Sequence, residues 1–103
     1  MTEPAAAITV RDNRPAHRYE IAIGGVVGGE LSYELHATTA VLLRTGVEPS
    51  FEHPCIATEL IRAALDDLRM RGLTAIAVCP LVGFFVAQHP DYASLVNPGQ
   101  ELT

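Results

Sequence analysis

A cysteine followed by a proline is the first position in this sequence that could carry chemistry. Cys79 ends the apolar segment 74–79, which reads TAIAVC, and Pro80 follows it. We interpret the segment as a buried strand, and ligand crevices in α/β sheets open at the carboxyl ends of strands. A thiol at such an end is either a reactive group in a crevice or an inert buried residue, and the residue pattern leaves both interpretations open.

The turn from the fourth predicted strand into the long predicted helix is the second such position. The first turn of a helix leaves backbone N–H groups without intrahelical partners and carries the positive end of the helix dipole. Both properties suit a phosphate group. Every strand-to-helix turn has them, so this geometry by itself favours an ordinary connection.

The four histidines show no metal-binding signature. His17, His36 and His53 are scattered singly, and none has the spacing to a second ligand that metal sites show. His89 and Tyr92 bracket a Pro-Asp dipeptide, and we interpret them as an exposed helix-end histidine and an aromatic anchor. The sequence therefore predicts no metal site, and the spacing reveals no arrangement of nucleophile, histidine and acid.

The elements that would position these groups follow from hydrophobic periodicity. Strand signals predict four antiparallel strands over 8–12, 18–23, 26–36 and 40–47. Gly24-Gly25 predicts a hairpin turn between the second and third strands. Gly28-Gly29 predicts a bulge in the third strand.

The period changes after the fourth strand. Apolar residues at steps of three and four predict a helix over 56–71, ended by Gly72 in the left-handed conformation. The buried strand 74–79 follows, and a shorter helix over 81–89 stops before a proline. The predicted fold is of the α+β class, with a four-strand meander, a long helix, a buried fifth strand and a short C-terminal helix.

Composition limits the class of protein. The 103 residues indicate a single domain over 1–103, with a loose, alanine-rich lead-in at 1–7. Acids outnumber bases 12 to 7, the net charge is −5, and every base is Arg. This balance disfavours a nucleic-acid or membrane partner, and the apolar runs are shorter than the roughly 20 residues of a membrane span. The sequence predicts a cytoplasmic protein whose two cysteines are too few for a disulfide scaffold, and it leaves the oligomeric state open.

Four stretches of the chain follow the order of motifs in a known family. They are Thr45–Glu52 (TGVEPSFE), Ala57–Leu73 (ATELIRAALDDLRMRGL), Cys79-Pro80 and His89–Val96 (HPDYASLV). Together they resemble the small single-domain branch of the GNAT superfamily of acetyl-CoA-dependent N-acetyltransferases. The resemblance implies a bent, mixed but mostly antiparallel sheet. Its fourth and fifth strands separate, and the pantetheine arm of acetyl-CoA enters the gap.

The resemblance also implies site residues and a function. The pyrophosphate of acetyl-CoA would lie on the loop that leads into the long helix, and Cys79 matches a cysteine that lies near the thioester. Cys79 is therefore the implied catalytic residue. The implied cofactor-binding residues are Val47, Glu52, His53, Pro54, Cys55, Ile56, Ala57, Thr58 and Pro80. The implied reaction is direct attack on the thioester by a small amine or a protein amine, with a base for the amine and an acid for the leaving thiolate.

The presumed phosphate loop departs from the family pattern, which reads like Glu/Arg-Gly-Gln-Gly-Ile-Gly-Ser. Here His53 and Cys55 replace glycines, and Pro54 lacks a backbone donor. A positive φ at a residue other than glycine costs about 1–2 kcal/mol, and a lost N–H to an anionic oxygen costs about 1.5–3 kcal/mol. We therefore expect acetyl-CoA to bind about 10²-fold or more weakly than with an intact loop. Arg44 stands where the branch often has histidine, and Arg is not a base at neutral pH.

Two other hypotheses stay open, and the departures of the loop motivate the first of them. The chain could be a non-catalytic GNAT-fold binding module that has lost the glycine-rich phosphate loop. In a third hypothesis Cys55 and Cys79 form a redox pair, which no feature of their spacing supports.

Overall fold

A six-stranded mixed sheet carries two α-helices in the computed structural model of the chain, which describes residues 8–51 and 55–98. The predicted lead-in at 1–7 lies outside the described residues. The strands lie side by side in chain order. They are β1 (Ile8–Asn13), β2 (Arg18–Ile23), β3 (Val26–His36), β4 (Thr39–Val47), β5 (Thr74–Ala77) and β6 (Val96–Pro98), and the helices are α1 (Ile56–Met70) and α2 (Pro80–Gln88).

The topology confirms the predicted α+β class. Strands β1 to β4 are antiparallel neighbours, as expected for a meander. Strand β5 pairs with β4 in parallel after α1, and β6 pairs with β5 in parallel after α2. The short β6 was absent from the sequence-based prediction, because three residues are too few to show a strand period.

Two glycine signals in the meander are confirmed. Gly24 and Gly25 have φ values of 59° and 87°, which a two-residue hairpin turn requires and which glycine adopts without steric cost. Ile21 pairs with Gly29 and the next residue of β2 pairs with Val27, so Gly28 is the extra residue of a bulge.

A second bulge lies in β4 and was not predicted. Ser32 pairs with Arg44, whereas the next residue, Tyr33, pairs with Leu42, so Leu43 has no opposite residue in β3. The extra residue reverses the alternation of side chains along β4. Thr45 therefore faces the same side of the sheet as Leu42.

Helix α1 buries one face against the sheet. Its first residue, Ile56, follows prediction, and the helix ends one residue before the predicted end, with Gly72 at a φ of 72° just beyond. The buried side chains of the helix recur at the predicted steps of three and four. They are Ile56, Leu60, Ile61, Ala64, Leu65 and Leu68.

The segment after α1 forms a shorter strand than the predicted 74–79. Strand β5 ends at Ala77, since the N–H groups of Val78 and Cys79 both donate to the carbonyl of Leu42 and so leave the ladder. Helix α2 then begins at Pro80, one residue before the predicted start. A proline is well suited to the first helical position, where its missing N–H would have no partner.

Both helices contribute to one hydrophobic core. Val82 and Phe85 of α2 lie in the same buried cluster as the α1 side chains and the inner residues of the sheet. None of the helices in the described part of the chain is long and apolar enough to cross a membrane.

Candidate active site

Strands β4 and β5 separate part of the way along their length. Their register runs from Thr39 opposite Thr74 to Leu42 opposite Ala77. Strand β4 continues to Val47, and no described residue of β5 is in register with this continuation. The backbone of β4 beyond Leu42 therefore borders a gap in the sheet, which opens at the carboxyl end of β5.

Cys79 lies at the fork where this gap begins. Its N–H donates to the carbonyl of Leu42 at 2.9 Å, its carbonyl accepts from the N–H of Gly83 at 3.2 Å, and it immediately precedes α2. The residue is only 2% exposed. Its thiol therefore occupies a fixed place at the base of the gap rather than on the open surface.

The Cys79 thiol has a polar partner across the fork. The Sγ atom lies 3.2 Å from the Oγ1 atom of Thr45, and either atom can be the donor. Thr45 is half-buried and pairs with Leu31, which is fully buried on the core side of β3. Thr45 begins the stretch Thr45–Glu52, and strict alternation of side chains from Leu42 would place it on the other face of the sheet.

The start of α1 lies on the chain segment that follows β4. Cys55 precedes the helix and is exposed, whereas the Ile56 side chain is 1% exposed and belongs to the core. Of the implied cofactor residues, Ile56 can thus offer only its backbone. Ala57 and Thr58 are half-buried residues of the first turn, where the amide groups and the helix dipole suit an anion.

The remaining implied residues are only partly described. Glu52, His53 and Pro54 lie outside the described residues. Val47 is 37% exposed at the end of β4, and Pro80 is exposed at the start of α2. Of the implied set, the structure describes Val47, the residues at the start of α1, Cys79 and Pro80.

A groove of about 240 Å³ runs between the first turns of α1 and the exposed face of α2. Ala57 and Thr58 line one wall, and Leu81 and Phe84 line the other. His89 closes the far end, where its ring stacks on Phe85 with centroids 4.1 Å apart and its Nδ1 atom lies 2.9 Å from the Phe85 carbonyl oxygen. His89 is therefore half-buried, and the sequence-based expectation of an exposed side chain was wrong.

A second hollow, also of about 240 Å³, lies beside the end of β4. Gly29 and Gly46 line it, together with the carboxylate residues Glu30 and Glu48. Glu48 is exposed, and Glu30 forms an ion pair with Arg18 at 3.1 Å. Because Glu30 is paired with Arg18, the exposed carboxylate of Glu48 carries the negative charge of this hollow.

The ionisable groups whose pKa values are strongly shifted lie away from Cys79, near the C-terminal end of α1. Burial and a hydrogen bond to Asp12 raise the pKa of Tyr33 to about 12. Burial and a hydrogen bond to Asp67 likewise raise the pKa of Tyr19. These groups hold the helix on the sheet and make no contact with Cys79. Within residues 8–51 and 55–98, no group of three or more His, Cys, Asp and Glu residues could hold a metal ion.

The fold and the gap define a single-sheet α+β domain with a candidate site between two diverging parallel strands, and sequence comparison supplies the family. A model of the family described as GCN5-related N-acetyl-transferase matches residues 18–95. The chain therefore belongs to the GCN5-related N-acetyltransferase family, which confirms the resemblance to the GNAT superfamily. No curated protein sequence matches the chain.

Solved structures share this fold, among them the following two. The NMR solution structure of a GCN5-like protein from Staphylococcus aureus has a TM-score of 0.66 at 15% identity, over 91% of this chain and 92% of that one. The ribosomal-protein-S18-alanine N-acetyltransferase from Escherichia coli has a TM-score of 0.51 at 18% identity, over 55% of this chain. The match covers only 37% of the Escherichia coli enzyme. At these identities the likeness shows the fold alone.

Proposed function

We propose that this chain is an acetyl-CoA-dependent N-acetyltransferase that transfers the acetyl group directly to an amine in the gap between β4 and β5. The observation that carries the proposal is the position of Cys79 at the fork of that gap, 3.2 Å from Thr45, in a chain of this family. We place the protein in the cytoplasm, a reducing compartment in which a thiol such as Cys79 stays reduced.

The described residues fit the acetyl donor. Beyond Leu42 the backbone of β4 borders the gap without a register partner in β5, so its polar groups can bond an extended, amide-containing chain. The amides of the first turn of α1 and its dipole favour the negative charge of phosphate. Acetyl-CoA supplies a thioester as the activated acetyl group.

Cys79 is suited to handle a proton rather than to become acetylated. At 2% exposure its Sγ atom has little freedom to move toward an incoming carbonyl carbon, but a proton needs to travel only a hydrogen-bond length. We therefore assign to the Cys79 thiol the protonation of the leaving sulfur. The reaction then needs no covalent acyl-enzyme.

The acceptor in this proposal is an amine. The exposed Glu48 lines the hollow at the end of β4, and a carboxylate attracts a group that arrives as an ammonium ion. The name of the Escherichia coli neighbour describes acetylation of an alanine in a ribosomal protein. A peptide with a free N-terminal amine therefore belongs among the acceptors to be tested, beside small amines.

The first experiment is calorimetric titration with acetyl-CoA, followed by an assay of thiol release over a panel of amines. We expect binding and amine-dependent thiol release in the wild-type protein and a loss of at least tenfold in kcat for Cys79→Ala. Val78→Ala is the matched control, since Val78 is the neighbouring residue and is 52% exposed. Absence of both binding and turnover at millimolar acetyl-CoA contradicts the proposal.

The alternative of a non-catalytic binding module rests on His53, Pro54 and Cys55 in the presumed phosphate loop. The double variant His53→Gly, Cys55→Gly distinguishes the two. If the wild-type protein binds acetyl-CoA with a micromolar Kd, the phosphate loop still functions and the binding-module alternative is wrong. Binding that appears only in the double variant supports the binding module.

A further inference from the structure

The side chain of Thr45 contacts the Cys79 thiol at a point where β4 and β5 are no longer paired. The last backbone bonds between the two strands end on the carbonyl of Leu42, which accepts from the N–H groups of Val78 and Cys79. Beyond that point the strands diverge, and the side chain of Thr45 spans the fork to within 3.2 Å of Sγ. The two residues are 34 positions apart in the chain.

The surroundings leave the thiol few other ways to be oriented. The backbone of Cys79 is held on both sides, by Leu42 through its N–H and by Gly83 through its carbonyl. The thiol can still rotate about the Cα–Cβ bond of Cys79, and the Thr45 hydroxyl is the polar group within hydrogen-bonding distance of Sγ. Thr45 is itself β-branched and lies in a strand, so its own side-chain rotation is restricted.

A hydroxyl is well suited to both protonation states of a thiol. It accepts a hydrogen bond from S–H, and after rotation it donates one to a thiolate. A valine of nearly the same shape can do neither.

We infer that Thr45 is a positioning residue that acts through Cys79, orienting its proton before transfer and stabilising its thiolate afterwards. The inference rests on the proposed acetyltransferase function. In the reaction the amine nitrogen bonds to the acetyl carbon, the carbon–sulfur bond breaks, and its electron pair leaves with the sulfur. Cys79 gives its proton to that sulfur, and the Cys79 thiolate takes up the proton that the amine nitrogen releases. The net products are the acetylated amine and the free thiol of the donor.

The test compares Thr45→Val, which removes the hydroxyl, with Thr45→Ser, which keeps it. All variants also carry Cys55→Ser, so that Cys79 is the one remaining thiol. The first readout is the S–H stretching band of Cys79 in the infrared spectrum of the acetyl-CoA-free protein, because its frequency reports directly whether the thiol is hydrogen-bonded. We expect Thr45→Val to shift the band to the position of a thiol without a hydrogen bond, and Thr45→Ser to leave it where the parent has it.

The second readout is a double-mutant cycle on turnover. We expect Thr45→Val to lower kcat about tenfold with the KM for acetyl-CoA within twofold, and to have no further effect in a Cys79→Ala protein. Loss of activity that multiplies in the double variant shows a structural role and overturns the inference. So does a serine variant whose kcat is as low as that of the valine variant, or an S–H band that Thr45→Val leaves unchanged.

The two readouts distinguish a failure of the proposed acetyltransferase function from a failure of the role inferred for Thr45. If the parent protein transfers no acetyl group while Thr45→Val still shifts the S–H band, the proposed function is wrong and the orientation of the Cys79 thiol by Thr45 is upheld. If the parent is active and Thr45→Val changes neither readout, only the role of Thr45 is wrong. Denaturant unfolding of each variant shows whether the fold is retained.

Discussion

The Nη2 atom of Arg71, just past the end of α1, donates a hydrogen bond of 2.6 Å to Oδ2 of Asp12 in β1, a residue 59 positions earlier. The same nitrogen donates to Asp67 at 2.7 Å and to the hydroxyl of Tyr19 at 2.9 Å. The side chains of Arg71 and Asp12 are 27% and 11% exposed, so solvent screens this network only in part. One guanidinium thus joins the helix end to the edge of the sheet.

Arg71→Met is expected to lower the free energy of unfolding by about 2 kcal/mol, because it removes the cation that Asp12 and Asp67 share and leaves Asp12 only the longer contact to Arg14 at 3.4 Å. Arg44→Met is the matched control, since Arg44 is exposed, and we expect it to change the free energy by no more than about 0.5 kcal/mol. Denaturant titration of both variants measures the difference. Equal stability of the two variants contradicts the importance of the network.

The three tyrosines are expected to resist ionisation in the folded protein. Burial and hydrogen bonds to aspartates raise the pKa of Tyr33 from 10.0 to about 12 and also raise the pKa values of Tyr19 and Tyr92. The unfolded chain therefore loses these protons first, so the stability that they contribute is present below pH 10 and is lost as the pH rises toward 12.

Ultraviolet absorbance of phenolate measures this prediction for the tyrosines. Native protein is expected to show little phenolate near pH 10, where protein in denaturant is half-ionised. Tyr33→Phe is expected to remove the step near pH 12. A native titration that coincides with the denatured one overturns the expectation.

Glu20 is expected to make folding sensitive to acid. It is 4% exposed, and hydrogen bonds from Asn13 and Arg18 hold its pKa below the ordinary value of 4.5. The stability from this carboxylate is therefore present above pH 4.5 and is lost as the pH falls through the lower folded value. Glu20→Gln is expected to flatten the pH dependence of the free energy of unfolding in this window. Glu59→Gln, at an exposed position on α1, serves as the control, and an equal flattening there contradicts the prediction.

Gly28→Ala is expected to destabilise the protein, because a Cβ atom at this position would lie 2.5 Å from atoms of the Phe51 ring. The ring has to move away from the bulge in β3, and we expect a cost of about 1–3 kcal/mol. Gly46→Ala is the matched control, since its Cβ would meet nothing within 4 Å. Thermal or denaturant unfolding checks both variants. A Gly28→Ala protein as stable as the control contradicts the prediction, because it shows that the Phe51 ring moves aside without a cost in stability.

Local patterns were enough to predict both helices and every strand except β6. The apolar steps in α1, the glycines of the hairpin and the proline after Cys79 act within a few residues, so the sequence predicts them directly. The motif resemblance also led to Cys79, which lies at the fork of the gap, and to the start of α1, which lines the groove against α2. The cofactor-binding roles of the implied residues stay predictions, and three of those residues, Glu52, His53 and Pro54, lie outside the described part of the chain.

The sequence by itself determined the α+β class, the family and, for every helix and strand except β6, the bounds to within about two residues. The tertiary structure alone decided that Thr45 meets Cys79, because the bulge at Leu43 reverses the side-chain alternation that the sequence suggests. It also decided that Arg71 reaches Asp12. Both outcomes depend on the register between strands and on the packing of a helix over the sheet. Such pairings join residues far apart in the chain, and local periodicity carries no information about them.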